Sequence, residues 1–444
     1  MSFKPYPRYQ NSGVTWLGEV PEHWQLRRLG YFFEERREKV SDKDFPALSV
    51  TKNGVVPQLE TAAKTDDGDN RKRVARGDFV INSRSDRKGS AGLAAEDGSV
   101  SLINTVLTPL AGVHGGFIHH LLRSSAFQEE FYRFGKGIVA DLWSTNYSEM
   151  RSIVLAMPSL LEQEAIAAFL DRETGKVNTL VEEQKKLIAL LKEKRQAVIS
   201  HAVTKGLNPN VPMRDSGIEW LNDIPEHWEV RRLKTETLSI EQGWSPQCEA
   251  TAVESYDEWG VLKVGCVNRG TFNPHENKAL PNGLEPRPEL GLKVGDLLIS
   301  RANTREWVGS AAVVEADYPR LLLCDKLYRL RLNKASCQPS FVALYLGTAG
   351  VRQQIELAAT GASSSMLNIG QATILELPIV LPPVDEQSAI LNWIGEQTAR
   401  IDELATGAET AIALLQERRS ALISAAVTGK IDVRGLVPDQ AEAA

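Results

Sequence analysis

Basic and amide side chains are concentrated in one short segment of the first half of the sequence. Between Arg71 and Lys88 there are seven basic residues and two acidic ones, interleaved with small polar residues. The matching place in the second half has Arg301, Asn303 and Arg305. Arginine can form two hydrogen bonds with guanine and asparagine two with adenine, while lysine and arginine also contact phosphates. The recurrence favours nucleic-acid-binding loops over the alternative, solvated charged loops.

Both loops follow the same strand signal, a Gly-Asp turn and a short apolar run. The runs read "GDFVI" at 77–81 and "GDLLI" at 295–299. No residue is predicted to be catalytic or to bind a metal. Loops around Lys136 and around Thr360–Ser365 are second-rank candidates, because each precedes the return to a predicted long helix. The predicted DNA-binding residues are Asn82, Arg84, Arg87, Lys88, Lys136, Arg301, Asn303 and Arg305.

Catalytic signatures are missing from the sequence. It contains no phosphate-binding loop, no dinucleotide-binding glycine motif, no GxSxG and no HExxH. His23 and His227 have aromatic and apolar neighbours, which favours a packing role. The pair His119-His120 lies on a predicted amphipathic helix and is expected at the surface. We therefore expect that the chain is not an enzyme by itself.

The composition of the 444 residues is that of an ordinary soluble protein, with 42% hydrophobic and 24% charged residues. Two to three domains are expected at this length. The net charge of −6 argues against bulk attraction to nucleic acid but leaves room for local basic surfaces. The four cysteines form no CxxC pair, which indicates reduced thiols. We expect a cytoplasmic protein, because no apolar run approaches the roughly 20 residues of a membrane helix.

The sequence is an internal duplication. The segment "SGVTWLGEVPEHWQLRRL" at 12–29 is repeated as "SGIEWLNDIPEHWEVRRL" at 216–233, an offset of 204 residues. Residues 157–204 align without a gap with residues 381–428, an offset of 224. The middle of the second copy is therefore 20 residues longer. This period is too long for a solenoid and indicates two tandem modules.

Each module ends in a segment with heptad spacing. Apolar residues recur every seven positions from Leu170, except at Gln184, and from Ile394. The intermediate positions of the seam are supplied by Leu180, Val181, Leu187, Ile188, Leu404 and Ile412. About 40 residues would form a helix roughly 60 Å long. We predict that the two helices pack antiparallel as a coiled coil with a pseudo-two-fold axis. The alternative is a helical dimer interface between separate chains.

The predicted fold class is α/β, as mixed α+β, with two tandem globular domains and two long antiparallel coiled-coil helices. Short helices are expected within 115–134 and 340–359. The predicted boundaries are a first domain at 1–157, a long helix at 158–206, a second domain at 207–380, a second long helix at 381–430 and a flexible tail at 431–444.

These duplicated motifs resemble the specificity (S) subunits of type I restriction-modification systems over about residues 10–430. The resemblance rests on the two openings, the two "GD" strands, the Glu-Gln pairs at 162–163 and 386–387, and the closing phrases "VISHAVT" and "LISAAVT". The first long helix begins after Met157-Pro158, where the family usually has two prolines. The resemblance implies two target-recognition domains, each reading one half of an interrupted, asymmetric DNA site.

The resemblance also implies partners. These are double-stranded DNA, two methyltransferase (modification) subunits and two restriction (translocase and nuclease) subunits, with no membrane. S-adenosylmethionine, ATP and magnesium would belong to the partners, with no cofactor in this chain. Two other classes stay open on the residues alone, a coiled-coil adaptor and a stand-alone DNA-modifying enzyme with an unrecognised active site.

Overall fold

A computed structural model describes residues 3–60, 68–137, 143–248, 251–253, 255, 257–363 and 366–436. The chain forms two compact units. The first consists of Met1–Lys186 with Ala408–Ala444, and the second of Leu187–Gly407. Each unit therefore contains one globular domain and one half of each long helix. The predicted class, mixed helix and sheet with two domains and two long helices, is confirmed.

The first domain is built from short strands and two helices that meet at Ser124. Its helices are α1 Gly115–Arg123, α2 Ser125–Arg133 and the single turn α3 Tyr147–Met150. Its strands are β1 Tyr9–Asn11, β2 Glu19–Pro21, β3 Gln25–Arg28, β4 Phe33–Glu35, β5 Lys39–Val40, β6 Leu48–Thr51, β7 Gly54–Pro57, β8 Arg71–Val74, β9 Phe79–Asn82, β10 Ala91–Leu93, β11 Gly98–Val100, β12 Asn104–Pro109 and β13 Val154–Met157.

The first long helix, α4 Leu160–Lys205, leads to the second domain. The helices there are α5 Leu233–Glu236, α6 Pro339–Leu346, α7 Ala349–Ala358 and α8 Gln371–Leu375, and α9 Val384–Val427 is the second long helix. The strands are β14 Met213–Asp215, β15 Asp223–Pro225, β16 Glu229–Arg232, β17 Thr237–Gln242, β18 Gly260–Leu262, β19 Asn277–Ala279, β20 Gly291–Leu292, β21 Leu297–Ser300, β22 Ala302–Asn303, β23 Ala311–Val313, β24 Tyr318–Leu322, β25 Leu327–Leu332, β26 Thr360–Ser363, β27 Met366–Asn368 and β28 Pro378–Leu381.

The duplication extends to the central sheet of each domain. The first domain has the strand order β10-β9-β12-β4, and the second has β23-β21-β25-β17. Each predicted "GD" run is the strand at the same place in its sheet, β9 or β21, and all residues of both strands are buried. The 115–134 and 340–359 segments form the predicted helix pairs, α1–α2 and α6–α7. The two domains thus share one framework although their middles diverge in sequence.

The long helices contain 46 and 44 residues. α4 begins in the first unit and ends in the second, whereas α9 begins in the second and ends in the first, as the antiparallel prediction requires. The heptad positions Val177 and Leu191 on α4, and Ile401 on α9, are buried. Of the intermediate positions, Val181 is 8% exposed, and Ile188 and Ile412 are half-buried. Leu180, Leu187 and Leu404 are 44%, 41% and 60% exposed, so the prediction that these three lie in the seam was wrong. Among the described residues, no helix combines the length and apolarity needed to span a bilayer.

The repeated opening phrase binds the first turn of a long helix. In the first unit, Glu162 is 5% exposed and accepts a hydrogen bond from Trp24 Nε1 at 3.1 Å, while His23 Nε2 lies 2.9 Å from its other oxygen. Glu386 holds Trp228 at 3.2 Å and His227 at 2.8 Å in the same way. The duplicated histidines therefore have a structural role, but they hold the helix through this contact from side chains that are 45% and 44% exposed, and not by packing in the core.

The neighbouring glutamine joins the same helix to the globular domain. Gln163 Oε1 accepts a bond from the His114 amide at 2.8 Å, and Gln387 Oε1 accepts one from the Gln338 amide at 2.8 Å. Each side-chain amide also donates to the carbonyl of the proline five residues earlier, at 3.0 and 2.9 Å. Since His114 and Gln338 precede α1 and α6, the glutamines set the position of each helix pair against its long helix.

Glycines with positive φ end both long helices against a repeated opening. Gly206 has φ +77° and lies beside Trp228, and Gly429 has φ +73° and lies beside Pro21 and Trp24. The adjacent lysines donate to carbonyls of the same openings, Lys205 to Asp223 and Lys430 to Leu17, the latter at 3.0 Å. Within the predicted tail, Val433 is fully buried in the first domain, and 437–444 lie outside the described residues.

Candidate nucleic-acid interface

A buried aspartate anchors the start of the strand that leads to each candidate loop. Asp78 is 2% exposed and accepts bonds from Arg36 Nε at 2.7 Å and from the Ala75 amide at 2.8 Å. Asp296 is 3% exposed and accepts from Arg331 Nε at 3.1 Å and from the Lys293 amide at 2.9 Å. The "GD" signal is therefore structural, and it fixes the strand from which the loop projects.

The two loops are closed in the same way. The amide of Asn82 donates to Ser90 at 2.9 Å, and the amide of Ser300 donates to Ser310 at 2.8 Å. A glycine with positive φ precedes each serine, Gly89 at +82° and Gly309 at +73°. Residues 83–89 and 301–309 are consequently equivalent loops of unequal length, held at both ends by one sheet.

The second-rank candidate segments, around Lys136 and around Thr360–Ser365, lie next to these loops in the structure. Arg84 and Lys136 both form antiparallel bridges with Ser144, which lies between them. In the second domain, β22 pairs with β27 and β27 pairs with β26, so that Asn303 lies opposite Leu367 and Thr360 opposite Asn368. Segments more than 50 residues apart in sequence thus form one surface in each domain. Ser364 and Ser365 of the predicted loop lie outside the described residues.

Three of the predicted arginines present their side chains to solvent. Arg84, Arg87 and Arg305 are exposed, and Arg87 lies 3.6 Å from Asp86 at its own loop. Lys136 is 79% exposed beside Glu149 at 3.5 Å. Exposed ion pairs of this kind are weak, about 0–1 kcal/mol, so the charges stay usable by a ligand.

The remaining predicted residues bond to other groups of the protein, and of these only Asn82 is buried. Asn82 is 6% exposed and accepts a bond from the Arg84 amide at 3.1 Å. Lys88 binds Glu129 at 2.5 Å. Arg301 reaches the Asp325 carbonyl at 3.4 Å, and Asn303 Nδ2 lies 3.2 Å from Asn268 Oδ1. Whether they contact DNA stays a prediction, but these bonds show how they shape the loops.

The basic run noted in the sequence is not one surface. Arg71 is 5% exposed and donates to Ser99 Oγ at 2.8 Å. Lys72 donates to the Asn104 carbonyl at 2.8 Å, and Arg73 pairs with Glu38 at 3.1 Å. These residues form β8, and their side chains bond to other groups of the same domain. Arg76 is exposed before β9, and the other exposed positive charges of this run, Arg84, Arg87 and Lys88, follow β9.

Two residues of this site escaped the sequence interpretation. Arg352 on α7 supports the second loop from behind, donating to the carbonyls of Val308 at 2.5 Å and Glu306 at 3.0 Å. Arg269 is exposed, has φ +67° and follows Asn268, which contacts Asn303. The 224-residue offset pairs Arg352 with Gln128, which is uncharged, so the repeat gave no signal for it. Arg269 has no corresponding residue in the first module, because it lies in the part where the second module is longer.

The geometry of the site gives little support for metal binding or thiol chemistry. Among the described residues, no three His, Cys, Asp or Glu side chains are grouped so that they could hold a metal ion. The four cysteines are free thiols. Burial raises the pKa of Cys324 and of Cys337 to about 12, so both stay protonated at neutral pH. The arrangement offers two sets of exposed hydrogen-bond donors on paired loops, which is the chemistry of recognition.

Comparison with known proteins confirms the resemblance to the specificity subunits of type I restriction enzymes. The chain is 28% identical over 225 residues to the EcoEI specificity subunit of Escherichia coli, covering 51% of this chain and 38% of that one. It is 24% identical over 368 residues to the EcoKI specificity subunit of Escherichia coli K12, covering 81% and 76%. The first match therefore spans less than half of that relative. No family model matches the chain.

Solved structures show the same fold. The HsdS subunit from Thermoanaerobacter tengcongensis superposes with a TM-score of 0.52 at 17% identity, covering 93% of this chain and 98% of that one. A chain from a structure on complex assembly and conformational transition of the type I R-M system gives a TM-score of 0.62 at 17% identity, covering 93% and 99%. The mixed architecture with two domains and long helices is thus that of HsdS structures.

Proposed function

We propose that this chain is the DNA-binding specificity subunit of a type I restriction-modification complex. Each globular domain reads one half of a bipartite site through the loop after β9 or after β21. The observation that carries the proposal is that the loop after the equivalent strand carries basic or amide side chains in each domain. In the first domain these are Arg84, next to Lys136 through Ser144, and in the second they are Asn303 and Arg305. The names of the similar curated proteins support the same function.

The two half-sites differ in sequence under this proposal. The first loop carries Arg84 and Arg87, whereas the second is two residues longer and has Asn303, Arg305 and the neighbouring Arg269. Arginine matches guanine and asparagine matches adenine in the major groove, so unlike loops select unlike bases. Identical framework strands with different loop residues give an asymmetric target. Asn82 acts by holding the Arg84 amide, so it positions the first loop.

The long helices dock the partner subunits in this proposal. They carry exposed leucines where charged residues would be expected on a solvated helix, at Leu180, Leu187, Leu190, Leu404 and Leu414. Because the framework is duplicated, two equivalent modification subunits bind it, and two restriction subunits join them. S-adenosylmethionine, ATP and magnesium then bind in the partners, and this chain contributes recognition without catalysis.

Selection from random double-stranded DNA tests the proposal. The reconstituted complex should enrich fragments with two unlike half-sites at a fixed spacing. A coiled-coil adaptor would enrich no bipartite motif. In parallel, the purified chain alone is incubated with labelled S-adenosylmethionine and DNA. Label transfer without partners would identify a stand-alone modifying enzyme and overturn the non-catalytic assignment.

A further inference from the structure

A basic cavity of about 410 Å³ lies in the first unit, where α1 and α2 face the last turns of α9. None of the described residues that line it is acidic. Its lining consists of Lys52, Lys88, Gly89, His119, His120, Arg123, Gln128, Arg419 and Ile423. The sequence placed His119 and His120 at the surface, but His120 is only 7% exposed and His119 is largely enclosed, so that prediction was wrong.

Two of the basic side chains have acidic partners at the edge of the cavity. Lys88 binds Glu129 at 2.5 Å, and His120 Nε2 lies 2.7 Å from Asp171. Within the part of the chain that the structure describes, Lys52, Arg123 and Arg419 form no ion pair. The buried Nε of Arg419 also finds no hydrogen-bond acceptor there. Since a buried donor without an acceptor is destabilising, three positive charges and an unused donor favour the binding of a negatively charged ligand.

Arg123 is held rigidly in the cavity wall. Its guanidinium lies 2.6 Å from His119 Nε2 and donates to the Lys52 carbonyl at 2.5 Å. Burial, Arg123 and His120 lower the pKa of His119 to about 4, so the ring is neutral and accepts the bond. Burial and the nearby Arg419 lower the pKa of Arg123. The positive groups thus repel one another, and an anion between them would relieve that repulsion.

The second module shows that the framework does not require these charges. With the 224-residue offset, His119, His120 and Arg123 correspond to Ala343, Leu344 and Gly347. Arg419 corresponds to Arg195, which is neutralised by Asp402 at 3.2 Å. The helix pair of the second unit therefore lacks these three basic side chains, and the long-helix arginine beside it is paired. The charges in the first are consequently available for a ligand.

We propose that this cavity binds a phosphate group. Guanidinium groups and lysines are the side chains that recognise phosphate, the former through paired hydrogen bonds. A backbone phosphate of bound DNA and a free phosphate share this chemistry. The DNA source is favoured because Lys88 and Gly89 belong to the loop after β9. The assignment to a DNA phosphate rests on the proposed function. The binding of a phosphate group rests on the charge arrangement alone.

Titration of the full-length chain with inorganic phosphate, followed by NMR of the histidine rings, tests the cavity itself. We expect a saturable shift of the His119 signal in the wild type. Arg419→Gln should weaken phosphate binding about 10-fold or more, as expected for loss of a charged hydrogen bond. Arg195→Gln is the matched control and should bind as the wild type does. If Arg419→Gln fails to fold, Lys52→Gln replaces it, because that side chain is exposed.

The salt dependence of DNA binding identifies the source of the phosphate. If it is the DNA backbone, Arg419→Gln should reduce the slope of log K against log salt by about one, and Arg195→Gln should leave it unchanged. Phosphate binding with an unchanged slope would assign a free phosphate. No phosphate-induced shift and no change in slope would overturn the proposal. If the chain bound no DNA at all, the proposed function would be wrong. The phosphate titration would still show whether the cavity binds phosphate.

Discussion

At the residue scale, equivalent backbone positions carry different side chains in the two modules. Arg84 and Arg87 occupy the first loop, and Asn303 and Arg305 the second, on strands of the same sheet order. Framework residues behave oppositely, because Glu162 and Glu386 make the same bonds at nearly the same distances. Side chains that repeat hold the fold, and those that differ lie on the loops that we propose read DNA.

Replacing Arg84 with alanine should affect one half-site only. We expect a loss of about 1–3 kcal/mol for DNA with the correct first half, as for an arginine bidentate to guanine. Arg305→Ala should have the same effect on the other half. Fluorescence anisotropy with duplexes altered in either half measures both. An equal loss for all DNA sequences would make Arg84 a phosphate contact instead.

Stability should depend on pH through His119. Because its pKa is lowered to about 4 in the folded state, the unfolded state binds a proton first as the pH falls. The contribution is complete above about pH 6.5 and is lost between there and about pH 4. We expect a loss of about 1–2 kcal/mol, reduced from the full shift because the ring is partly exposed.

Urea unfolding at several pH values measures this contribution. His119→Ala, the residue found at the equivalent position 343, should flatten the dependence in that range. His201→Ala, on the exposed face of α4, is the control and should leave it unchanged. A wild-type stability that does not change between pH 6.5 and 4.5 would contradict the neutral, enclosed ring.

At the element scale, the helix ends are fixed by close contacts with the repeated openings. A Cβ atom at Gly429 would lie 2.3 Å from Pro21 Cδ, and the residue has φ +73°. Gly435 has nearly the same φ, +74°, with nothing within 4 Å of the added atom. A comparison of substitutions at Gly429 and Gly435 therefore separates the free-energy cost of the backbone conformation from the cost of the contact with Pro21.

Gly429→Ala should lower the melting temperature more than Gly435→Ala. The backbone conformation alone costs about 1 kcal/mol in either variant. The clash with Pro21 adds an overpacking cost of about 1–3 kcal/mol to the first. Thermal unfolding by circular dichroism of the two variants gives the difference. Equal melting temperatures would mean that the end of α9 is not held by the first opening.

The elements also show what the sequence could predict. Heptad spacing located α4 and α9, and the 224-residue offset located α1–α2 and α6–α7, since helices and repeats are local or self-similar patterns. The strand order was beyond reach, because β9 pairs with β12 and β10 across loops that carry no register signal. The burial of His120 and the exposure of Leu404 were mispredicted, since both depend on which face of a helix meets a partner element.

The candidate site was also predictable from the sequence only in part. Arg84, Arg87 and Arg305 could be found because a charged loop followed a duplicated strand signal. Arg352 and Arg269 could not, because one supports the loop from another helix and the other lies in the longer part of the second middle. Arg71 belongs to the basic run of the sequence but not to a basic surface, because its side chain is buried and bonds to Ser99 of the same domain.

At the scale of the whole molecule, we propose that the lengths of α4 and α9 set the spacing of the half-sites. Deleting one heptad from each, residues 177–183 and 401–407, keeps the seam in register and removes about 10 Å of helix. The preferred spacer should then shorten by about three base pairs, or binding should be lost. DNA selection with the shortened chain measures it, and an unchanged spacer would remove this role of the helices.

The central claim is that two unlike readers on one duplicated framework define a single DNA site. Sequencing that detects modified bases, in DNA from cells that express this chain with the proposed methyltransferase partner, is the direct test. We expect one modified motif with two different halves separated by a fixed number of unspecified bases. A single uninterrupted motif, or two identical halves, would contradict it.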